Sequence, residues 1–153
     1  MRLLVLAALA GSALSIPRAA GAQASCVLRE VEGQKTPGGI DPRLADVRAL
    51  LLGPPFSQYP SFKLMETHPL TLKRGVAEKG VLTNKHHFEV TFLDRLAERD
   101  GKARLRLKLE VRTPDGKPEV SVIVVVDENG APFPRVEQRG DRLWVQLIHC
   151  KST

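Results

Sequence analysis

The sequence predicts a mainly β domain: an antiparallel sandwich or a curled meander of seven or eight strands, with one N-terminal helix. Three observations carry this. Over most of the chain beyond residue 60, apolar and polar residues alternate with the period of two of a half-buried strand, most cleanly in the stretch 103–112, "ARLRLKLEVR". The turn signals Asp100-Gly101, Pro114-Asp115-Gly116 and Asn129-Gly130 punctuate the alternating stretches, as expected of successive strands in an antiparallel sheet. Helical spacing is clear in one place, at Leu44, Val47, Leu50 and Leu51.

The elements follow in order. Residues 1–24 read as a secretory signal peptide, with Arg2, an apolar run over 3–14, and Ala22-Gln23-Ala24 as the small-x-small cleavage site. Residues 25–153 are then one β-rich domain with no further segment apolar enough to cross a bilayer. Residues 26–31 alternate weakly and predict a short first strand, followed by the polar loop "EGQKTPGG". Asp41 is a good N-cap, Pro42 suits the first helical position, and Gly53-Pro54-Pro55 stops the helix. "SFKLMETHPLTLK" predicts a long strand in which Pro69 marks an edge or a bend. "KGVLT", "HHFEVTFLDRLAER", "ARLRLKLEVR", "PEVSVIVVVD", "APFPRVEQ" and "RLWVQLIHC" supply the rest.

Two cysteines bracket the exported chain. In an oxidising compartment an even pair reads as a bridge, so Cys26 and Cys150 are expected to form a disulfide between the first and last strands. Lipidation of Cys26 is the competing reading, but Gln23 stands where that motif needs an aliphatic residue. Losing Arg2 and Arg18 with the leader takes the basic count from 23 to 21 against 17 acidic residues, a net charge of +4. That is far short of the dense basic clusters of nucleic-acid binders, and no nucleic-acid partner is expected.

A two-residue turn at Asp100-Gly101 would set Val90 opposite Val111, Phe92 opposite Leu109, Leu96 opposite Leu105 and Glu89 opposite Arg112. Asp94 would face Leu107 on the apolar side unless a bulge turned it outward. A four-residue turn over 114–117 would set Val120, Val122, Val124 and Val126 against Val111, Leu109, Leu107 and Leu105. Arg112 would then meet Glu119, and Arg104 would meet Asp127. The middle of the basic row, Arg106 and Lys108, would lie without acidic neighbours between Arg95, Leu93, Ile123 and Val125.

The order Ile40-Asp41-Pro42-Arg43-Leu44, Leu51-Leu52, then residues 55–64 ("PFSQYPSFKL") and Leu70-Thr71-Leu72 resembles a group of short exported bacterial β-rich proteins. In these a helix leads into a "PFxxYxxF" corner. The resemblance covers residues 40–112 and implies a small exported domain, with no assigned chemistry. The usual Leu-Pro-Asn-Gly turn is replaced here by Leu82-Thr83-Asn84-Lys85.

Catalytic and metal-binding patterns are weak, and no cofactor or catalytic residue is expected. His86 and His87 point to opposite faces of a strand and read as surface histidines. No nucleophile elbow is present, and a hydrolase would need a catalytic cluster that the sequence does not display. Phe56, Tyr59 and Phe62 read as packing between helix and sheet. Trp144 shares a face with Ile148 and Cys150, opposite Leu143, Val145 and Leu147; it faces outward or lies under a second layer. The sequence thus points to a non-enzymatic exported module of the bacterial envelope, periplasmic or extracellular, acting through protein contacts. The expected surface is Arg95, Arg104, Arg106, Lys108, Ile123, Val125 and Trp144. The alternative is capture of an anionic envelope polymer, acidic glycan or lipid head group, by the basic row extended to Arg112.

Overall fold

The computed structural model describes residues 23–152. The expected leader falls outside them, apart from Gln23 and Ala24. Among the described residues nine strands occur: β1 (Gln23–Gln34), β2 (Gly39–Ile40), β3 (Ser61–Lys73), β4 (Ala77–Val81), β5 (His87–Arg99), β6 (Lys102–Arg112), β7 (Pro118–Asp127), β8 (Phe133–Arg139) and β9 (Arg142–Lys151). They form a five-stranded sheet in the order β2-β3-β1-β9-β8 and a four-stranded sheet in the order β4-β5-β6-β7. The pairings between these strands are antiparallel except the two-residue contact of β2 with β3, and an isolated parallel bridge joins Arg74 to Phe92. The short strand β2, at the end of the expected loop, is one more than the seven or eight expected. β1 also starts earlier than expected, at Gln23, with Ala24 buried opposite Leu72.

The helical segment is tighter than its apolar spacing suggests. A 3₁₀ turn (Pro42–Val47) runs into a five-residue helix, α1 (Arg48–Leu52), and a second 3₁₀ turn (Phe56–Gln58) follows. Asp41 is the cap: its carboxylate accepts from the Arg43 backbone N–H at 3.0 Å and from the Arg43 guanidinium at 2.7 Å. The Arg43 guanidinium holds that carboxyl well below the usual carboxylate range.

Two buried clusters lie on the two faces of the five-stranded sheet. One draws Cys26 and Leu28 of β1, Leu70 and Leu72 of β3, and Ile148 and Cys150 of β9 together with Phe88, Val90, Phe92, Leu105, Leu107, Leu109, Val124 and Val126 of the other sheet. The second joins Val31, Phe62, Leu143, Val145 and Leu147 to Leu44, Val47, Leu51, Phe56 and Tyr59 of the helical segment. Both faces of β9 are therefore covered, the central-strand pattern of near-continuous apolarity. Phe56 and Tyr59 each meet Phe62 with ring centroids 6.4 Å apart, so the aromatic corner packs the helix onto the sheet. Gly33 permits this: a Cβ there would lie 2.8 Å from the Phe62 ring.

Cys26 and Cys150 sit directly opposite each other on β1 and β9 and are bridged. Among the described residues no helix is long and apolar enough to cross a membrane.

Arg29 of β1 clamps the helical segment to the sheet, donating to both oxygens of Asp46 at 2.8 and 2.9 Å. This holds the Asp46 carboxyl below its ordinary value of 3.8. His149 of β9 sits beside the clamp; burial, helped by Lys151 and Arg29 and opposed by Asp46, pushes its imidazole below 6.5. Both groups release protons more readily in the folded chain than in the unfolded one. Their stabilisation is therefore present above the unfolded values and lost as pH falls. The denaturant midpoint is expected to begin declining below pH 6.5 and to fall again below 3.8. The Asp46→Asn variant should reduce the lower limb without abolishing it, because the Asp41 and Asp115 carboxyls are also held below 3.8, and a midpoint that rises on acidification would contradict the assignment.

Candidate interaction surface

The outer face of the four-stranded sheet is organised by β6, whose even-numbered residues point away from the core. Its pairing with β7 is the expected one from Leu105–Val126 to Val111–Val120, with Arg104 opposite Asp127. At the far end the register shifts between Val111 and Arg112, so Arg112 meets Pro118 rather than Glu119.

The pairing with β5 departs further. Arg99 lies opposite Lys102, as a two-residue turn requires, but bulges interrupt β5 between Leu96 and Arg99 and between Phe92 and Asp94. Together they slide the strand by two residues, so Phe92 faces Leu107, Val90 faces Leu109 and Phe88 faces Val111. Glu89 accordingly faces Glu110, not Arg112. Between the bulges a one-residue offset inverts the faces. Asp94 turns outward opposite Arg106, while Arg95 turns inward opposite Leu105.

This inversion changes the electrostatics of the row. The Arg106 guanidinium donates to Asp94 at 2.6 Å, and Lys108 lies 3.2 Å from Glu110. Arg112 lies 3.7 Å from Glu110 and 4.0 Å from Glu89. The expectation of an unneutralised middle is thus corrected: the bulge at Leu93 delivers a carboxylate to it. Arg95 leaves the patch and donates to buried Glu128 at 2.6 Å. Arg104 has no carboxylate within salt-bridge distance among the described residues and donates to the Ala97 carbonyl. With Arg99, Lys102 and Asp127 it lines a shallow polar depression.

The apolar members of the expected surface stand out more clearly. Ile123 is 61% exposed and Val125 45% exposed, side by side on β7 opposite Lys108 and Arg106. Trp144 is not with them. It lies on β9 in the other sheet, partly buried, opposite Glu32 and Glu137. The expected residues therefore divide: Arg104, Arg106, Lys108, Ile123 and Val125 share one face, and Arg95 and Trp144 lie elsewhere.

A second polar feature was missed from sequence. Glu30, 1% exposed, accepts from His68 Nε2 at 2.8 Å, from the Thr83 backbone N–H at 2.9 Å and from the Thr83 hydroxyl at 2.8 Å. Nearby, buried Glu32 accepts from Gln34 at 2.6 Å, and Gln146 accepts from Arg135. His86 is buried as well, correcting its reading as a surface residue. Its Nε2 lies 3.2 Å from Glu119 and 3.3 Å from the Arg139 guanidinium, while His87 is exposed. The signal for the two glutamates was the alternation itself, since 30 and 32 continue the face set by Cys26 and Leu28. Among the described residues no group of three His, Cys, Asp or Glu side chains is arranged to hold a metal ion.

No protein family, curated protein or solved structure matches this chain.

Proposed function

We propose that the chain is an exported, non-catalytic interaction module of the bacterial cell envelope, a β-sandwich that acts through protein contacts on the outer face of β7. The observation that carries this reading is the exposure of Ile123 and Val125 beside basic residues already matched by Asp94 and Glu110. A surface meant for polyanions keeps its cations free, because phosphate or carboxylate capture depends on uncompensated charge. Here the cations border an apolar strip, the composition of a contact patch with a polar rim. The disulfide supports an oxidising compartment. One observation favours the polyanion alternative: Arg104, beside Arg99 and Lys102, lines the shallow depression without a carboxylate partner of its own.

Co-sedimentation with envelope material at low and high salt tests the reading. Raising salt from 0.1 to 1 M shortens the screening length from about 10 to about 3 Å and dissolves contacts carried by charge alone. Binding is expected to survive high salt and to weaken at least about tenfold, roughly 1.4 kcal/mol, when Ile123 and Val125 are both changed to Ser. The Arg106→Ser, Lys108→Ser pair should fold normally and bind within about threefold of wild type, a shift of roughly 0.7 kcal/mol. Binding abolished by salt and by the Arg106, Lys108 pair would transfer the function to polyanion capture.

A further inference from the structure

The four-stranded sheet ends at β7, and among the described residues no strand covers this edge. Which backbone groups it offers follows from a single contact. The Glu128 N–H donates to the Ala103 carbonyl at 2.8 Å, continuing the β6–β7 ladder by one pair. In an antiparallel ladder hydrogen-bonded pairs recur at every second residue. Val126, Val124, Val122 and Val120 therefore spend their N–H and C=O groups on β6. Ser121, Ile123 and Val125 direct theirs outward, into solvent.

Natural sheet edges are usually blunted by shortness, charge, proline or bulges. The other edges here follow that rule. β2 has two residues, β4 has five and carries Glu78, Lys79 and Gly80, and β8 carries Pro134, Arg135, Glu137 and Arg139. β7 does not. Its residues 120–126, "VSVIVVV", hold no charge and no proline, and Val122, Ile123 and Val125 are exposed.

We propose that this edge pairs with β7 of a second copy, antiparallel, with Ile123 on the two-fold axis. The proposal rests on the reading that β7 carries protein contacts, and it names the first of them. Three features select a second copy. The free groups belong to three alternate residues symmetric about Ile123, so Ser121 pairs with Val125 of the second copy and Ile123 with its own equivalent. In that register all three residues of each copy are satisfied, as a self-complementary interface requires. The side chains agree: Val122 meets Val124, Val120 meets Val126, and no charged residue falls between them. Of the acidic ends, Glu119 is held within its own chain by His86 at 3.2 Å, and Asp127 lies opposite Arg104 on β6 without an ion pair to it. The two four-stranded sheets then become one sheet of eight strands, and the two Ile123–Val125 strips lie side by side as a doubled contact face.

The contact is small, so the dimer belongs among weak associations, interfaces below about 1,200 Å². Sedimentation velocity of the mature, disulfide-bonded protein from about 5 to 500 μM should show a reversible monomer–dimer equilibrium with a Kd within that range. Ile123→Lys and Ile123→Glu each place like charges opposite one another across the axis and should weaken dimerisation at least about tenfold. Mixed one to one, the two variants should recover a heterodimer. Circular dichroism of each variant alone checks that it folds, and a variant that does not fold is replaced by Ile123→Thr, expected to weaken the dimer more mildly. A wild type monomeric throughout the range overturns the proposal and leaves the edge to an extended segment of another protein. So does a dimer indifferent to both charges. A monomer that still binds envelope material refutes the dimer alone, and a dimer that binds none refutes the functional reading alone.

Discussion

Reducing the Cys26–Cys150 disulfide is expected to lower the melting temperature by about 10–20 °C, a loss of about 4–5 kcal/mol. The bridge joins residues 124 apart in sequence, so it forbids the unfolded chain most of its end-to-end freedom. In the folded protein it adds little positioning, because β1 and β9 are already paired along ten positions around it. Stabilisation thus arises mainly through the unfolded state. Two consequences can be measured. The denaturant m-value should rise on reduction, since the freed chain exposes more surface when unfolded. Near-ultraviolet dichroism of the reduced folded protein should stay native-like. Reduction is the cleaner test than substitution, because both sulfurs are buried in the core shared by the two sheets and truncation would add a cavity. A melting temperature within about 3 °C of the oxidised protein, under 1 kcal/mol at this size, would show that the unfolded state is compact without the bridge.

Much of this architecture was legible in particular residues. The stretches "SFKLMETHPLTLK" and "PEVSVIVVVD" coincide with β3 and β7, Asp41 caps as its chemistry suggests, and four valines of β7 meet the residues of β6 that alternation assigned to them. Pro69 stands on β3 beyond the two positions where β2 covers that strand, an edge position as expected. The failures share a cause. Period-two reasoning assumes an uninterrupted ladder, and β5 is interrupted twice; Leu93-Asp94-Arg95-Leu96 carries no local mark of the bulges. One extra residue there moved Asp94 into the basic row and Arg95 out of it, which weakened the polyanion alternative and left protein contacts the leading reading. Composition misled in a second way. Glutamates in "CVLREVEGQ" look like solvent-facing residues, although their spacing from Leu28 placed them inside.

Changing Glu30 to Ala is expected to cost about 2–4 kcal/mol, read as a fall in the denaturant midpoint, because three donors aimed at one buried carboxylate would lose their acceptor together. Glu30 sits on the inward face of β1, and Thr83 belongs to the turn between β4 and β5 of the other sheet. The carboxylate therefore ties the two sheets through polar bonds, beyond the apolar cluster that Leu28 shares with Phe88. His68 is fixed at the same time, its ring 5.0 Å from that of Phe88. Glu30→Gln keeps the size but turns one acceptor into a donor facing N–H groups, so an intermediate loss of about 1–2 kcal/mol is expected. Hydrogen exchange locates the effect: the Thr83 amide should lose protection in both variants, while amides of β6 keep theirs. A double-mutant cycle of Glu30→Ala with Thr83→Ala should give a coupling of about 0.5–3 kcal/mol. Additive losses, with Thr83 still protected, would mean that the sheets are held by apolar packing alone and that the buried carboxylate is incidental to their union.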